Sequence, residues 1–530
     1  MMPGPVSRIA PNPIRFTSES RFMRPLCSVE PPRPRAAPDL RSWRDEAVEV
    51  RGARTVVLVG VGLLVLLAGP VALLLAGLTL YFPRVRAWLR PSRRVVAWWL
   101  VAVLAVAGLA VVVPDGWLPI APGPGTWATP SYVGRPVVGG AEHGPAGESP
   151  QVRTRSYGLD DCRRLEVDPH GRLVAVCGDA GSPVLRLVDA ESLRQRATKD
   201  LPARGAGCPA AFDLDTDGRV VVAAGDRLLV VGTADADDEP DLTTEATIDL
   251  GIAADDCVVG VAAAGERTWF VSRAGVAGVV AGDRVATVDL DDTVDRPLAA
   301  VAAGAYVAGA QALHRVVLTG GRVTVAWSSA YDGGGERGAA PVPLPSGLVA
   351  VADNREPRLQ VVFHRADTGA PVCRTEVFGD DAGATDGGLV AAGDAVVVQN
   401  SHGYDGPLST VLGRTTDRGI ARVAVVDGEC RVTWSTELDV PSGAPAVSVA
   451  DGIVYAYVKR HSWLGVDAWY LTALDLDTGR LLWGRRTGLG VLRDNHHGEV
   501  TLGPGRAAYV PVLGGLVRVR DREVDPQDQG

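Results

Sequence analysis

Apolar residues follow two different patterns along this chain of 530 residues. Near the N-terminus they form two long uncharged runs, from Thr55 to Pro83 and from Val95 to Val113. From about residue 150 they form short runs rich in Val, Leu and Ala, with Gly, Asp or Pro between them. The long runs predict membrane helices, and the short runs with turn residues between them predict β-strands.

Each uncharged run is long enough to cross a bilayer, and no signal-peptidase pattern follows the first, so we predict two transmembrane helices within residues 55–113. Between them, Pro83–Arg94 carries five arginines and no acidic residue, and such short basic loops stay cytoplasmic. We therefore expect a multi-pass protein of the cell membrane whose C-terminal domain is extracytoplasmic. Residues 1–54 form a predicted disordered Pro/Arg-rich tail. Two complete spans place this tail outside, whereas a re-entrant hairpin at Gly69-Pro70 leaves it inside.

The rest of the chain divides by composition. Residues 114–150 are dense in Pro and Gly and predict a linker. Residues 151–522 contain paired apolar runs around short turns, such as Val220–Ala224 with Leu228–Val231. Regular short strands of this kind indicate an all-β sandwich, barrel or propeller. Residues 523–530 are a short polar tail.

Repeated landmarks favour the propeller. Trp327, Trp434 and Trp483 each end a strand that follows a Gly-containing turn, and Cys373 takes the equivalent position after the turn at 367–369. These four residues are 46, 61 and 49 residues apart, which corresponds to one four-stranded blade each.

This spacing predicts eight blades, with seven as the alternative. The predicted blade starts lie near residues 163, 210, 258, 298, 341, 388, 446 and 498. The last blade has room for only three strands, so we expect Gln151–Tyr157 to supply the fourth and to close the ring.

The stretch 473–483 reads Ala-x-Asp-x-x-Thr-Gly-x-x-x-Trp. It resembles the repeat of the pyrroloquinoline-quinone-like (PQQ-like) β-propeller family, in a membrane-anchored bacterial form. That resemblance implies that the tryptophan packs between blades. The family includes quinone-dependent dehydrogenases and non-enzymatic scaffolds of the bacterial envelope. The dehydrogenases have adjacent cysteines beneath the cofactor, and this sequence has no Cys-Cys pair, so PQQ is not expected and a quinone oxidoreductase is the third choice of function.

Charge is distributed unevenly between the two parts of the chain. Residues 1–113 hold fifteen arginines and six acidic residues, a net charge of +9, so residues 114–530 must carry −18 to give the total of −9. Phosphate recognition requires clustered Lys and Arg. Nucleic acid is therefore excluded as the partner of the acidic C-terminal part.

Six of the seven cysteines lie beyond residue 160. An even number in one domain is typical of disulfides in an oxidising compartment, and reduced buried thiols are the alternative. Two flank one predicted hairpin symmetrically, two precede successive blades, and two lie in outer strands of successive blades. The predicted pairs are Cys162–Cys177, Cys208–Cys257 and Cys373–Cys430.

Two polar loops carry the candidate chemistry, residues 399–406 and residues 494–499. His with Asn, Asp and Glu can ligate a divalent ion or transfer protons, and the alternative is that these residues only form surface turns. The candidate ligand-binding residues are Asn400, His402, Tyr404, Asn495, His496 and His497. The candidate catalytic residues are His402, Asp405, His496 and Glu499.

The sequence thus predicts a membrane-anchored extracytoplasmic β-propeller that acts as a binding or scaffolding module of the cell envelope, with envelope proteins or glycans as partners. A metal-dependent hydrolase or lactonase-type enzyme, with its site at the channel mouth, is the alternative. Its metal site would be drawn from His402, Asp405, Asn495, His496 and Glu499. No cofactor is predicted. Calcium is a metal ion that the oxygen-bearing side chains of the polar loops could bind.

Overall fold

The computed structural model describes residues 81–83, 125–129, 132, 143–158, 162–205, 207–236, 239–240, 242–331, 338–410, 414, 416–460 and 467–522. The two long apolar runs, apart from residues 81–83, lie outside these residues, as do the N-terminal and C-terminal tails. Within the described residues, no helix is long and apolar enough to span a membrane. The predicted anchor therefore stays a prediction.

The described residues of the C-terminal part form an eight-bladed β-propeller, as predicted. Two strands precede the first blade: β1 (Thr126–Ala128) and β2 (Pro150–Arg155). Blade 1 consists of β3 (Glu166–Val167), β4 (Leu173–Cys177), β5 (Val184–Val188) and β6 (Gln195–Asp200). Blade 2 consists of β7 (Phe212–Leu214), β8 (Val220–Ala224), β9 (Arg227–Val231) and β12 (Thr244–Asp249), with a ribbon of β10 (Asp235–Ala236) and β11 (Glu239–Pro240) inserted before its last strand.

The next three blades have four consecutive antiparallel strands each. Blade 3 consists of β13 (Val258–Ala264), β14 (Arg267–Ser272), β15 (Val276–Ala281) and β16 (Arg284–Asp289). Blade 4 consists of β17 (Ala299–Val301), β18 (Gly304–Ala308), β19 (Ala312–Thr319) and β20 (Arg322–Ala330). Blade 5 consists of β21 (Val342–Pro343), β22 (Leu348–Asp353), β23 (Leu359–Arg365) and β24 (Pro371–Val377).

The last three blades carry the longer loops. Blade 6 consists of β25 (Leu389–Ala392), β26 (Ala395–Gln399), β27 (Ile420–Val426) and β28 (Glu429–Thr436), with the 3-10 turn η1 (Pro407–Ser409) before β27. Blade 7 consists of β29 (Ala446–Ser448), β30 (Ile453–Arg460), β31 (Ala468–Asp475) and β32 (Leu481–Leu489), followed by the 3-10 turn η2 (Val491–Arg493). Blade 8 contains β33 (Thr501–Gly503), β34 (Ala507–Val512) and β35 (Gly515–Asp521).

The fourth strand of blade 8 is β2, from the beginning of the propeller. Its pairing with β35 runs from Pro150 opposite Asp521 to Arg155 opposite Leu516. Apolar clusters fill the space between every pair of neighbouring blades, including blades 8 and 1, where Tyr509 and Leu516 pack with Leu173. The prediction that an N-terminal strand closes the ring is confirmed.

The prediction of a linker over residues 114–150 is wrong for part of that range. β1 adds a fifth strand to blade 7, with Thr126 opposite Arg485 and Trp127 opposite Gly484. The Trp127 indole covers Gly484, where an added Cβ would lie 2.5 Å from the ring. The outer edge of a long strand leaves backbone groups unpaired, and β1 pairs with the middle of the nine-residue strand β32.

Two of the three repeated tryptophans, Trp327 and Trp434, pack against a turn glycine of the next blade. The Trp434 N–H in blade 6 donates to the Leu476 carbonyl in blade 7 at 2.8 Å, and an added Cβ on Gly479 would lie 2.6 Å from the Trp434 ring. Trp327 in blade 4 has the same relation to Gly369 in blade 5, with a corresponding distance of 2.4 Å. Only a residue without a Cβ allows this approach, so the turn glycine and the tryptophan form one unit.

All three predicted disulfides are present. Cys162–Cys177 links two positions that face each other across the first hairpin of blade 1, and their Cα atoms are 4.2 Å apart. The other two connect neighbouring blades, blades 2 and 3 in one case and blades 5 and 6 in the other. These are Cys208–Cys257 and Cys373–Cys430.

Candidate functional site

The two polar loops lie on the same face of the propeller. In each blade the loop between the second and third strands and the connection to the next blade lie at one end of the strands, and we call this end the upper face. Residues 399–406 begin the loop between β26 and β27, and residues 494–499 belong to the connection from β32 to β33. The turns between first and second strands lie on the opposite, lower face.

The two loops converge through Tyr404. Its hydroxyl donates to Asp494 Oδ1 at 3.2 Å and lies 3.0 Å from His496 Nδ1. Thr410 donates to the other Asp494 oxygen at 2.5 Å. Burial raises the pKa of Asp494, and the hydrogen bonds from Thr410 and Tyr404 oppose this rise. The result is a buried carboxyl group beneath a half-exposed tyrosine and histidine.

A charged network crosses the mouth of the central channel. His497 Nδ1 lies 3.1 Å from Asp386 Oδ2, and the other Asp386 oxygen pairs with the Arg296 guanidinium. The three residues precede the inner strands of blades 8, 6 and 4, respectively, so they reach the channel from three sides. The hydrogen bond from His497, with the charge of Arg296, lowers the pKa of Asp386 despite its partial burial. Arg296 and Asp386 were not among the residues predicted from the sequence, although each stands three positions before an inner strand.

Aromatic rings complete the mouth. The Tyr404 and His497 ring centroids are 5.1 Å apart in an edge-to-face arrangement, and the His496 and His497 centroids are also 5.1 Å apart. The mouth therefore presents a tyrosine, two imidazoles, an arginine and a carboxylate on connections held by rigid blades.

The two candidate asparagines have structural roles. Asn400 is completely buried, and its amide donates to the carbonyls of Ala382 and Arg418 at 2.7 and 3.2 Å. The Asn495 amide donates to the carbonyls of Ser442 and Gly498 at 2.6 and 2.8 Å. Because both amides are saturated by backbone groups, they hold the loops in place and do not face a ligand.

Three of the candidate catalytic residues lie apart from the cluster around His496. His402 pairs with Asp417 of its own loop at 2.5 Å, and Asp405 is exposed. Glu499 lies near Arg164 of blade 1; burial raises its pKa, and the charge of Arg164 opposes the rise. The loops carry these side chains in different directions, which their spacing in the sequence does not reveal.

Within the described residues, no group of three or more His, Cys, Asp or Glu side chains is arranged to hold a metal ion. The set proposed for the metalloenzyme alternative, His402, Asp405, Asn495, His496 and Glu499, is therefore not assembled.

A buried lysine lies between blades 6 and 7, below the upper face. The Lys459 side chain is fully buried, and its ammonium lies 3.4 Å from Asp467 Oδ1 and donates to the Arg414 carbonyl. Burial raises the pKa of the neighbouring Asp439 to about 6, and the charge of Lys459 opposes the rise. Lys459 is one of only two lysines in the sequence, beside 51 arginines.

Blade 4 contains a hydrogen-bonded Ser–His–Asp chain. His314 Nδ1 lies 2.9 Å from Ser328 Oγ, and His314 Nε2 lies 3.0 Å from Asp292 Oδ2. Asp292 also accepts from the backbone N–H groups of Gln311 and Ala312, at 3.0 and 3.2 Å. The carboxylate is thus occupied in joining the second-to-third strand turn of blade 4 to the connection from blade 3.

No protein-family model and no curated protein matches the sequence. Among solved structures, the chain is similar to the computationally designed Ika8 protein, with 13% identity, a TM-score of 0.47 and coverage of 72% of this chain and 100% of the other. It is also similar to the WD40 domain of SCAP from fission yeast, with 9% identity, a TM-score of 0.44 and coverage of 72% and 98%. A streptogramin B lyase is also similar, with 9% identity, a TM-score of 0.40 and coverage of 71% of this chain and 98% of the other. These likenesses carry no argument about function.

Proposed function

We propose that this protein is a membrane-anchored, extracytoplasmic binding or scaffolding module of the cell envelope, and that the channel mouth of the upper face is its recognition site. The observation that carries the proposal is the convergence of Tyr404, His496 and His497 with the Arg296–Asp386 pair. Aromatic rings and a few oriented polar groups on a rigid scaffold are the usual composition of a binding site.

Three further features support the envelope location. The two uncharged runs and the basic loop between them suit a membrane anchor, and the three disulfides suit an oxidising compartment. The packing of Trp327 and Trp434 on turn glycines supports membership of the PQQ-like repeat family as part of the same proposal.

The mouth suits a partner with both hydrogen-bonding groups and flat apolar surface, such as an envelope glycan or a protein loop. Tyrosine and imidazole rings can stack on a sugar or peptide, while Arg296 and Asp386 supply a fixed donor and acceptor. The net charge of −18 after residue 113 makes nucleic acid an unsuitable partner.

A hydrolase is the second candidate, because two carboxyl groups near the mouth have pKa values shifted in opposite directions. Asp386 is held ionised by His497 and Arg296, and Asp494 is shifted toward its protonated form by burial. Such a pair can act as base and acid. The separation of His402 and Glu499 from His496 gives the metal-dependent version no support.

The test uses the full chain in intact cells, with a photo-cross-linking amino acid at Asp405 on the upper face or at Val449 on the lower face. We expect an envelope glycan or protein to cross-link at position 405 but not at 449. The variants Tyr404→Ala and His497→Ala should reduce that cross-linking strongly. Equal cross-linking on both faces, or no effect of either variant, would contradict the proposed recognition site, whereas hydrolysis of lactone or ester substrates abolished by Asp494→Asn would favour the enzyme.

A further inference from the structure

We propose that the rim of the upper face at blades 6 to 8 rests on the membrane, with Leu408, Val491 and Leu492 inserted at the level of the lipid headgroups. The inference rests on the membrane anchor proposed above, and it goes further because it assigns a membrane-contacting surface and an orientation to the propeller.

The first observation is the exposure of these three side chains. Leu408 is 75% exposed, and Val491 and Leu492 are 40% and 49% exposed. They lie in or beside the only two described 3-10 turns, η1 and η2. Large aliphatic groups left in water are costly, and a bilayer interface removes that cost.

The second observation is that the two turns form one surface. The Thr410 hydroxyl, directly after η1, donates to Asp494, directly after η2, at 2.5 Å. The Tyr404 hydroxyl donates to the same carboxyl group at 3.2 Å. Two loops from different blades are thereby fixed side by side, so that Leu408 projects from the same rim as Val491 and Leu492.

The third observation is the place where the chain enters the propeller. β1 runs antiparallel to β32, and the Gly125 carbonyl accepts from the Arg486 N–H at 2.7 Å. Since β32 runs toward the upper face and ends just before η2, the chain enters blade 7 from the upper side. Val491 is only five residues beyond Arg486 on the same strand and turn.

Chain length then limits the geometry. Eleven residues, 114–124, separate the second apolar run from Gly125, and eleven residues span at most about 40 Å when fully extended. Gly125 lies opposite Arg486, so the upper end of β32 at Leu489 is three residues, or about 10 Å, away, whereas the lower end at Leu481 is five residues, or about 17 Å, away in the opposite direction. To bring the lower face to the membrane, the linker would have to turn back along β32 and use nearly half of its reach before it passed the end of the strand. The direction of entry and the short linker therefore favour an upper face turned toward the bilayer.

Charge at the rim suits this placement. Arg414 and Arg418, in the loop that carries Leu408, are exposed, and the exposed Asp417 between them is paired with His402. Arginine beside inserted aliphatic residues can contact lipid phosphates. The channel mouth would then open close to the membrane surface.

The experiment uses the full chain reconstituted in lipid nanodiscs, with Cys27→Ser as the background because the other six cysteines are in disulfides. A polarity-sensitive fluorophore is attached at Leu408→Cys or Leu492→Cys. Val449→Cys is the matched control, an exposed valine in the first turn of blade 7 on the lower face, 57% accessible. Each sample is measured with spin-labelled lipid and with aqueous iodide.

We expect labels at 408 and 492 to shift to shorter emission wavelength, to be quenched by the spin-labelled lipid and to be protected from iodide, and the label at 449 to show none of these changes. Labels at 408 and 492 that iodide quenches as strongly as at 449 overturn the proposal. Protection from iodide without lipid quenching also overturns it, because a second copy of the chain would then cover the rim. If the protein does not float with liposomes, the proposed membrane anchor is wrong, and the proposed contact between the rim and the membrane is refuted as well.

Discussion

The contact between Trp434 and Gly479 allows the contribution of the repeated turn to the stability of the propeller to be measured. Gly479 has a φ angle of +68°, and an added Cβ would lie 2.6 Å from the indole. Gly428 has a φ angle of +81°, but no atom lies within 4 Å of an added Cβ. Both positions strain an alanine by about 1 kcal/mol, whereas only Gly479→Ala also overpacks a blade interface, at a further cost of about 1–3 kcal/mol.

We therefore expect Gly479→Ala to lower the free energy of unfolding by about 2–4 kcal/mol and Gly428→Ala by about 1 kcal/mol, measured by urea denaturation of the full chain in detergent. In a Trp434→Leu background, Gly479→Ala should cost no more than Gly428→Ala, because the indole is no longer there to be displaced. Equal effects of the two alanine substitutions in the parent protein would refute the view that tryptophan and glycine act as one unit.

Three other predictions concern charge, covalent links and buried hydrogen bonds. Burial raises the pKa of Asp439 to about 6 in the folded state, so between about pH 4 and 6 the folded state binds more protons than the unfolded chain, and the parent protein loses stability as pH rises. The free energy of unfolding of Asp439→Asn minus that of the parent, measured by urea denaturation, should therefore increase by about 3 kcal/mol from pH 4 to 7. A difference that stays constant with pH would contradict this. The double variant Cys373→Ser/Cys430→Ser removes a link that closes a loop of 57 residues and should lose about 4 kcal/mol of unfolding free energy in urea denaturation, whereas a loss below about 1 kcal/mol would contradict this. Asp292→Ala leaves buried donors of blade 4 without an acceptor and should cost about 3 kcal/mol, whereas a change below about 1 kcal/mol would show that water replaces the carboxylate.

Much of the fold follows from local patterns in the sequence. Blade starts near 446 and 258 coincide with the observed starts of β29 and β13, because each blade repeats the same short strands and turns. The Cys162–Cys177 link was predictable from hairpin symmetry alone. In contrast, β1 has only three residues and no alternating pattern of its own, and it forms because the outer edge of blade 7 needs a partner.

The candidate site was only partly predictable. Polar composition indicated the two loops around Tyr404 and His496, and both reach the upper face. The Arg296–Asp386–His497 network joins connections about 90 and 110 residues apart in sequence, so no local spacing reveals it. The direction of His402 depends on its pairing with Asp417, fifteen residues away, which composition also does not show.

The strand that completes blade 8 sets the order of events during synthesis. β2 leaves the ribosome before any complete blade, and its partner β35 follows about 360 residues later. At about 5–20 residues per second, the early strand waits for roughly twenty seconds or longer with its backbone groups unpaired. Assembly of this ring is therefore a late event with a high entropic cost of closure. A chain interrupted before Gly515 would leave an open edge available to other molecules.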